Sequence, residues 1–401
     1  MRPTAALHAL PAALAGLLAA ASASAAAVTF VVSVPASTPA GSALWISGDR
    51  AELGAWSGKG IALVRAADGT WAGSLTLPAG AAFEYKVTRG GWETVEKDAS
   101  GGEVANRRGA ASDGDDTLRV AVAAWRDQTE APAVRAHTIT GEVRRHDAFP
   151  SRFVKARDVL VWLPPGYDVQ PKRRYPVVYL QDGQNVFDGA TSFIPGQEWR
   201  ADEAADRLVR SRRLEPFIMV AVANTSDRMA EYTAEPDAKH GGGRSADYFR
   251  FLLEELQPFV DANYRTLGGP AGTAIVGSSL GGLASLDLGL AHPDRFGLVG
   301  CVSPAVWWAD TAIVRRVRAG AKLPLRVWLD VGTEESTGSD TGRKVWLEHA
   351  RLLRDALAAK GWREGADFHY EEVEGARHNE AAWAARIERI LEFLLARPDG
   401  R

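Results

Sequence analysis

The sequence has one cysteine, Cys301, among its 401 residues. A disulfide needs two sulfur atoms, so the chain cannot close an internal one, and its stability has to come from a buried core. Cys301 lies in the apolar run at 296–302, which is typical of a buried structural thiol. No cysteines or histidines are paired at the spacing of metal ligands, so the sequence predicts neither a metal nor an organic cofactor.

The chain also has little excess charge. It carries 47 lysines and arginines against 50 aspartates and glutamates, a formal net charge of −3, with both signs scattered along its length. Nucleic acids and anionic membranes attract basic surfaces. The composition therefore favours no nucleic-acid partner and no membrane partner.

Long apolar runs are missing beyond the first 26 residues. That segment starts with Arg2, continues with an apolar stretch at 7–21, and ends in small residues that offer several A-x-A cleavage sites. The stretch is too short to span a bilayer and is typical of a secretory signal peptide. We predict a signal peptide at 1–26 and an exported protein, periplasmic or extracellular.

Two regions with different patterns follow the leader. Residues 27–125 contain short apolar or alternating segments separated by glycine, proline and aspartate, which predicts an all-β sandwich of the immunoglobulin-like kind. Residues 126–136 have mixed charge and a proline, and we expect a linker there. The clearest strand candidates of the first region are 28–34, 43–47, 73–77, 83–88 and 117–122.

From residue 137 to 401, apolar strands alternate with longer helical patterns. This alternation predicts an α/β domain with a mainly parallel sheet flanked by helices. The strand candidates are 159–163, 177–180, 217–223, 274–276, 298–302, 327–331 and 368–373. The helix candidates are 248–264, 283–291, 345–360 and 381–395.

A candidate nucleophile lies between a strand and a helix of this region. Gly277-Ser278-Ser279-Leu280-Gly281 matches the pattern G-x-S-x-G, which is weak alone but has an apolar strand before it and a small-residue helix after it. In the α/β-hydrolase fold this strand-to-helix turn presents the serine hydroxyl at a helix amino terminus. The alternative is a glycine-serine turn without chemical function. We predict Ser279 as the nucleophile.

A serine needs a base, and this fold orders its triad serine, acid, histidine. Of the eight histidines, His378 alone follows the last predicted strand, in a loop that leads into a helix. The acid is expected after the strand that begins near residue 326, where the segment 330–335 carries three carboxylates. Asp330 lies inside the strand, and spacing alone does not separate Glu334 from Glu335.

An oxyanion needs two backbone N–H donors. One is expected from Leu280, the residue after the nucleophile. The other is expected from the loop after the strand at 177–180, where Gly183 allows close approach of the backbone and Gln184 supplies the N–H.

Residues 137–397 resemble the esterase family that includes esterase D, enterochelin esterases, feruloyl esterases and the mycolyltransferases. The resemblance implies an α/β-hydrolase fold and serine esterase chemistry. In that family the acid is typically the third residue after the glycine that closes its strand, which is Glu335 here, and the second oxyanion donor matches Gln184. The motifs that carry the resemblance are VWLPPGY at 161–167, YLQDGQ at 179–184, GSSLGG at 277–282, DVGTEE at 330–335 and GARH at 375–378.

Four further residues look most like those of enterochelin-esterase relatives, where such residues line the active-site cleft. This resemblance implies a substrate-binding role, while packing in the core is the alternative. The residues are Arg228, Tyr232, Trp307 and Trp308.

Residues 28–125 resemble the starch-binding module of glucoamylases. The matching motifs are VTF at 28–30, GDRAELGAW at 48–56, LPAG at 77–80, FEYK at 83–86 and NR at 106–107. The resemblance implies a sugar site with Trp56, Lys86 and Asn106, and an indole suits sugar because its apolar face stacks on pyranose C–H groups. The second stacking tryptophan departs from the pattern, because Trp92 lies closer to the lysine than expected.

These features predict an exported serine carboxylic-ester hydrolase that acts on a small-molecule or carbohydrate ester and is brought to a glucan by its first domain. Two alternatives stay open. One is an acyltransferase to a sugar or other alcohol, which would use the same triad. The other is a carbohydrate-binding protein with an inactive hydrolase domain.

Overall fold

The computed structural model describes residues 25–54, 56–112, 114–129, 136–194, 196–335 and 340–396, and for 340–344 it describes the backbone alone. The chain forms two compact units divided at residue 131. The predicted signal peptide lies outside the described residues apart from Ala25 and Ala26, which begin the first strand. In the described part of the chain, no helix combines the length and the apolarity needed to cross a membrane.

The first unit is a β-sandwich. Along its first strand Val28, Phe30 and Val32 are buried while the residues between them are partly exposed, which is the alternation of a half-buried strand. The strands are β1 (Ala25–Ser33), β2 (Leu44–Gly48), β3 (Ile61–Arg65), β4 (Trp71–Pro78), β5 (Ala82–Thr88), β6 (Glu96–Lys97), β7 (Arg107–Ala110), β8 (Asp116–Ala121) and β9 (Ala124–Trp125).

The order of the larger sheet is β7-β5-β2-β3-β4-β1-β8, and β6 pairs with β9 separately. Residues 61–63 of β3 pair with β2, whereas residues 64 and 65 pair with β4. Strand β3 therefore passes from one layer to the other, and the two layers enclose a core of their own.

The second unit contains an eight-stranded sheet in its described residues, with the order β10-β11-β13-β12-β16-β17-β18-β19. The strands from β13 to β19 in this order pair in parallel, while β10 and β11 run antiparallel to their neighbours. The strands of this sheet are β10 (Glu142–Phe149), β11 (Arg157–Leu163), β12 (Val177–Gln181), β13 (Ile218–Val222), β16 (Thr273–Ser279), β17 (Leu298–Pro304), β18 (Arg326–Glu334) and β19 (Phe368–Arg377). Two short strands, β14 (Pro236–Asp237) and β15 (Gly241–Gly242), pair with each other outside it.

Helices cover both faces of this sheet. Along β12, Val177 and Tyr179 belong to the core on one face, and Val178 and Leu180 to the core on the other. A strand buried on both faces carries an uninterrupted apolar run, as residues 177–180 of β12 do. The helices are α1 (Ala201–Arg210), α2 (Arg228–Glu231), α3 (Ser245–Arg250), α4 (Gln257–Asn263), α5 (Leu280–Ala291), α6 (Trp308–Ala319), α7 (Asp340–Ala359), α8 (Glu380–Ala384) and α9 (Ile387–Leu395), with a π-helical segment at Phe251–Leu256.

Two predicted helices are interrupted in the structure. The helix predicted at 248–264 consists of α3, the π-helical segment and α4 in sequence. The helix predicted at 381–395 is divided into α8 and α9, with the fully buried Arg386 between them. The elements that were not predicted include β3, β7, β10, α1 and α6. Half of the residues of β10 are charged, and α1 has only one leucine and one valine to mark its apolar side.

Candidate functional site

Ser279 is the last residue of β16 and directly precedes α5. Its backbone has φ 57° and ψ −124°, a strained conformation that persists only where the surrounding structure maintains it. The bend requires small neighbours, since a Cβ on Gly277 would lie 2.5 Å from the carbonyl carbon of Gly281. The serine side chain is partly exposed at the amino end of α5, where developing negative charge is favoured.

A histidine and a glutamate meet at the same edge of the sheet. Glu335 follows β18 and His378 follows β19, and His378 Nδ1 lies 2.5 Å from Glu335 Oε2. Glu334 is still part of β18, where it is opposite Arg377 in the ladder. The carboxylate that contacts the imidazole is therefore that of Glu335.

Glu335 is 2% exposed, and its second oxygen has two donors. Oε1 accepts from the Ser303 hydroxyl at 2.5 Å and from the Gly332 N–H at 2.5 Å. Burial acts to raise the pKa of Glu335, but the hydrogen bond and charge of His378, with the hydrogen bonds from Ser303 and Gly332, outweigh it and lower the pKa. The acid is held as a carboxylate, the form that accepts from an imidazole N–H.

The turn after β12, where the sequence predicts the second oxyanion donor, is tight. Asp182 adopts a left-handed conformation, with φ 57° and ψ 46°, before a 3₁₀ turn at Gly183–Asn185. A Cβ on Gly183 would lie 2.5 Å from the backbone of Ala221, so only glycine fits there. The first N–H groups of a helical turn lack intrahelical acceptors, which applies to Gln184 here and to Leu280 at the start of α5.

This turn contacts the segments on either side of it. A Cβ on Gly281 would lie 3.2 Å from Asp182 Oδ2, so the start of α5 packs directly on the turn. Asn185 Nδ2 donates to Glu380 Oε1 at 3.1 Å, which joins the turn to the segment two residues beyond His378. Three segments are therefore adjacent: the strand-to-helix bend at Ser279, called the elbow below, the turn at 182–185, and the loop that carries His378.

The end of β17 contacts both Ser279 and Glu335 at this edge of the sheet. The N–H of Ala305 donates to the carbonyl of Ser279 at 3.0 Å, and Ser303, two residues earlier, donates to Glu335. Among the described residues no hydrogen bond joins Ser279 to His378. Catalytic hydrogen bonds are often long without substrate and tighten in its complex, so this geometry is compatible with a serine-histidine pair.

Arg228 and Tyr232 support the turn after β12. The guanidinium of Arg228 makes two hydrogen bonds of 2.7 Å to the carboxylate of Asp182, and its side chain is 29% exposed. Tyr232 is fully buried below Arg228, and its hydroxyl accepts from the N–H of Asp182 at 3.2 Å. Direct substrate contact by Tyr232 is thus ruled out by its burial, while Arg228 retains an accessible face.

The adjacent residues Trp307 and Trp308 also differ in exposure. Trp308 is buried and its Nε1 donates to the carbonyl of Glu235 at 2.8 Å, so it packs in the core and does not contact substrate. Trp307 is partly exposed and its ring centroid lies 5.5 Å from that of His240. Of the pair, only Trp307 offers a surface to a cleft.

Two tryptophans that the sequence analysis did not single out flank His378. The ring of Trp346, on α7, lies 4.6 Å from the imidazole with a tilt of 45°, and the ring of Trp383, on α8, lies 5.0 Å away edge-on. No local motif marks either residue, because a tryptophan in a helical pattern is ordinarily a core residue. Together the indoles restrict the rotation of the imidazole.

In the first unit the structure brings Trp56 and Trp92 together. Their ring centroids are 5.9 Å apart with a tilt of 44°, and Trp92 Nε1 donates to the carbonyl of Trp56 at 2.9 Å. Both rings are partly exposed. The short separation between Trp92 and the lysine in sequence therefore does not prevent a paired aromatic surface.

The two polar residues of the expected sugar site have protein partners. Lys86 Nζ donates to the carbonyl of Val104, and burial lowers the pKa of this lysine. Asn106 Nδ2 donates to Glu84 Oε2 at 3.0 Å. Lys86 and Asn106 are thus fixed in place rather than extended into solvent.

Within the described residues, no group of three or more histidine, cysteine, aspartate and glutamate side chains is arranged to hold a metal ion. Cys301 is buried in β17, as expected for a structural thiol.

Comparison with protein families gives two matches. Residues 151–394 match the family described as "Putative esterase", and residues 25–107 match the "Starch binding domain". The first match covers more than half of the chain, and the second covers most of the first unit.

Individual proteins match each part. The ferri-bacillibactin esterase BesA of Bacillus subtilis is 26% identical over 254 residues, 57% of this chain and 82% of BesA. An α-amylase of Niallia circulans is 42% identical over 103 residues, 25% of this chain and 8% of the amylase. The enterobactin esterase FES of Shigella flexneri has a TM-score of 0.52 at 17% identity and 88% coverage of both chains, a likeness of fold of the α/β-hydrolase type.

Proposed function

Because the chain belongs to the esterase family and carries a starch-binding domain, we propose that it is an exported serine hydrolase that cleaves carboxylic esters on or near a glucan. Ser279, His378 and Glu335 form its triad. The hydrogen bond of 2.5 Å between His378 Nδ1 and Glu335 Oε2 is the observation that carries the proposal. It leaves Nε2 of the same ring as the base for a serine.

The reaction follows acyl-enzyme chemistry. His378 Nε2 takes the proton of Ser279 as Oγ attacks the ester carbonyl, and the N–H groups of Leu280 and Gln184 stabilise the oxyanion. The imidazolium then gives its proton to the leaving alcohol. A water molecule, deprotonated by the same imidazole, attacks the acyl-enzyme and releases the acid, while Glu335 orients the ring throughout.

The substrate cleft lies above the carboxyl edge of the sheet. Arg228, fixed by Asp182 and still 29% exposed, supplies a cation to a polar group of the substrate. Trp307 and Trp346 supply partly exposed aromatic surface on the same edge. The substrate class is a small-molecule or carbohydrate ester.

The first unit is an immunoglobulin-like sandwich that binds the glucan. Trp56 and Trp92 stack on successive sugars, and the fixed amine and amide of Lys86 and Asn106 contact hydroxyl groups beside them. The signal peptide at 1–26 places the enzyme in the periplasm or outside the cell, where polysaccharide is found.

The test is the variant Ser279→Ala against the wild-type protein, with p-nitrophenyl acetate as substrate and a fluorophosphonate as covalent probe. We expect turnover to fall by about 10⁴-fold or more and labelling to disappear, because no other side chain replaces the nucleophile. Wild-type turnover in this variant would refute the proposed function.

A further inference from the structure

Ser303 lies near the end of β17, the strand between the one that ends at Ser279 and the one that leads to Glu335. It is fully buried and has φ 42°, in the left-handed region that non-glycine residues rarely adopt. Such strain persists where the surroundings impose it, and it concentrates at functional sites. Pro304, the next residue, is opposite Ser279 in the sheet.

The hydroxyl of Ser303 makes three hydrogen bonds, and their directions are determined by chemistry. Trp383 Nε1 and Arg386 Nη2 each lie 3.2 Å from Oγ, and both atoms are donors only. The single hydroxyl proton is therefore left for Glu335 Oε1, at 2.5 Å. Two donors on one side force the serine to donate to the carboxylate on the other.

A buried ion pair between Arg386 and Asp330 holds Ser303 in place. Arg386 Nη1 lies 2.9 Å from Asp330 Oδ1, and both side chains are fully buried. The same oxygen accepts the backbone N–H of Ser303 at 3.0 Å, and Trp328 Nε1 donates to the other oxygen at 2.7 Å. Asp330 thus holds the backbone of Ser303, while Arg386 holds its hydroxyl.

We propose that Ser303 is a positioning residue for the ester hydrolysis, holding the carboxylate of Glu335 so that Oε2 faces His378. The inference rests on the proposed function, because Ser303 acts only through the Glu335–His378 pair. The charged and titratable groups that face this carboxylate network are His378, Arg386 and Asp330. Among the described donors to Glu335, Ser303 is the one that supplies a hydroxyl from a different strand.

The first experiment compares Ser303→Ala with wild type in steady-state hydrolysis of p-nitrophenyl acetate across pH. We expect kcat to fall about 10- to 100-fold, as for a lost hydrogen bond to a charged group, with KM changed by less than about twofold. The acidic limb of the kcat/KM profile should move to higher pH. A carboxylate with one donor fewer attracts the imidazolium more strongly, so the protonated, inactive form of His378 persists to higher pH.

Two further variants separate positioning from folding. Thr273→Val is the matched control, since it removes a buried hydroxyl that donates to the Gly269 carbonyl at the opposite end of the sheet, and it should leave kcat and the pH profile unchanged. Ser303→Gly removes the hydroxyl where glycine tolerates the positive φ without strain. It should show the loss of kcat and the shift of the pH profile expected for Ser303→Ala, and it replaces the alanine variant if that variant folds poorly.

The decisive measurement is a double-mutant cycle with Glu335→Gln. If Ser303 acts through the carboxylate, its removal should cost almost nothing further once Glu335 is replaced. Independent, multiplicative losses, or wild-type kcat and pH profile in folded Ser303→Gly, would overturn the inference. Either result would leave the proposed function standing, which Ser279→Ala tests separately.

Discussion

At the scale of single residues, Glu334 and Glu335 are neighbours with the same chemistry and different surroundings. Glu335 is buried with donors on both carboxylate oxygens, whereas Glu334 is partly exposed at the end of β18. The hydrogen bonds that lower the pKa of Glu335 against the effect of burial favour the charged form, which an imidazole partner requires. Of the donors to Glu335, Gly332 is local in the chain, whereas Ser303 and His378 reach it through tertiary contacts.

We expect Glu335→Gln to lower kcat about 10³- to 10⁴-fold, because an amide can present its N–H₂ group to the imidazole and favour the wrong tautomer. Glu334→Gln is the matched control and should keep kcat within about threefold. Both variants are to be assayed with p-nitrophenyl acetate, with unfolding temperatures measured in parallel. Equal losses in the two variants would contradict the assignment of the acid.

The hydrogen-bond network around Glu335 could not be found from the sequence. The alternative between Glu334 and Glu335 stayed open on spacing because both residues follow the predicted strand at 327–331. Ser303 and Arg386 were missed altogether, since Ser303 reaches Glu335 from another strand and Arg386 reaches Ser303 from the segment between α8 and α9. A serine before a proline and an arginine in a helical pattern carry no local signal of such a contact.

At the scale of elements, the elbow was predictable because its requirements are local. A strand, a bend with small residues on both sides and a helix start all lie within 273–291, so the sequence contains the whole motif. By contrast, the break between α8 and α9 depends on Arg386 reaching Asp330 in another strand. Helical periodicity at 381–395 predicts one helix and does not contain that information.

Gly277→Ala tests the elbow. The added Cβ would lie 2.5 Å from the backbone of Gly281, so the start of α5 must shift and the Ser279 hydroxyl must move with it. We expect kcat to fall at least about 100-fold, since displacements of about 1 Å have this effect on positioned groups. Gly320→Ala is the control, because its Cβ would meet nothing closer than 3.4 Å, and it should retain full activity. Wild-type turnover in Gly277→Ala would mean that the bend is not required.

Helix α1 carries a buried carboxylate that makes stability depend on pH. Asp202 is fully buried, and burial together with the neighbouring carboxylate of Glu203 raises its pKa to about 8, against the opposing hydrogen bond from the Thr140 N–H. The unfolded chain loses this proton near the ordinary pKa of 3.8. Between about pH 4 and pH 8 the folded state alone keeps the proton, so this group lowers the free energy of unfolding progressively as pH rises through that window.

Asp202→Asn should remove this dependence. The amide oxygen still accepts from Thr140, and no charge has to be buried at high pH. We expect urea unfolding to show the variant more stable than wild type at pH 9, with the difference shrinking towards pH 5. Asp206→Asn, which changes an aspartate paired with Arg210 on the same helix, should lack this trend. A difference that does not vary with pH would contradict the assignment to Asp202.

At the scale of the whole molecule, the two units have separate cores, and their predicted sites use separate residues. The sandwich was recognisable from alternation and turns, but the pairing of Trp56 with Trp92 was not. In sequence, Trp92 lies closer to Lys86 than the pattern of the starch-binding module has it. The folded loops nevertheless bring the ring centroids of Trp56 and Trp92 to within 5.9 Å of each other. An aromatic surface is a tertiary property even when each indole is visible in the sequence.

The separation of the units predicts separable losses. Trp56→Ala removes one of the two indoles while keeping the backbone carbonyl that accepts from Trp92 Nε1. We expect binding to soluble amylose, measured by affinity electrophoresis, to weaken about 30-fold, as for loss of a central aromatic contact of about 2 kcal/mol. Trp56→Phe keeps a stacking ring and should recover part of the lost amylose binding. Turnover of p-nitrophenyl acetate should stay at the wild-type value in both variants, and Ser279→Ala should bind amylose normally. If Trp56→Ala binds amylose as wild type does, the paired indoles are not the glucan site, whatever the fate of the esterase activity.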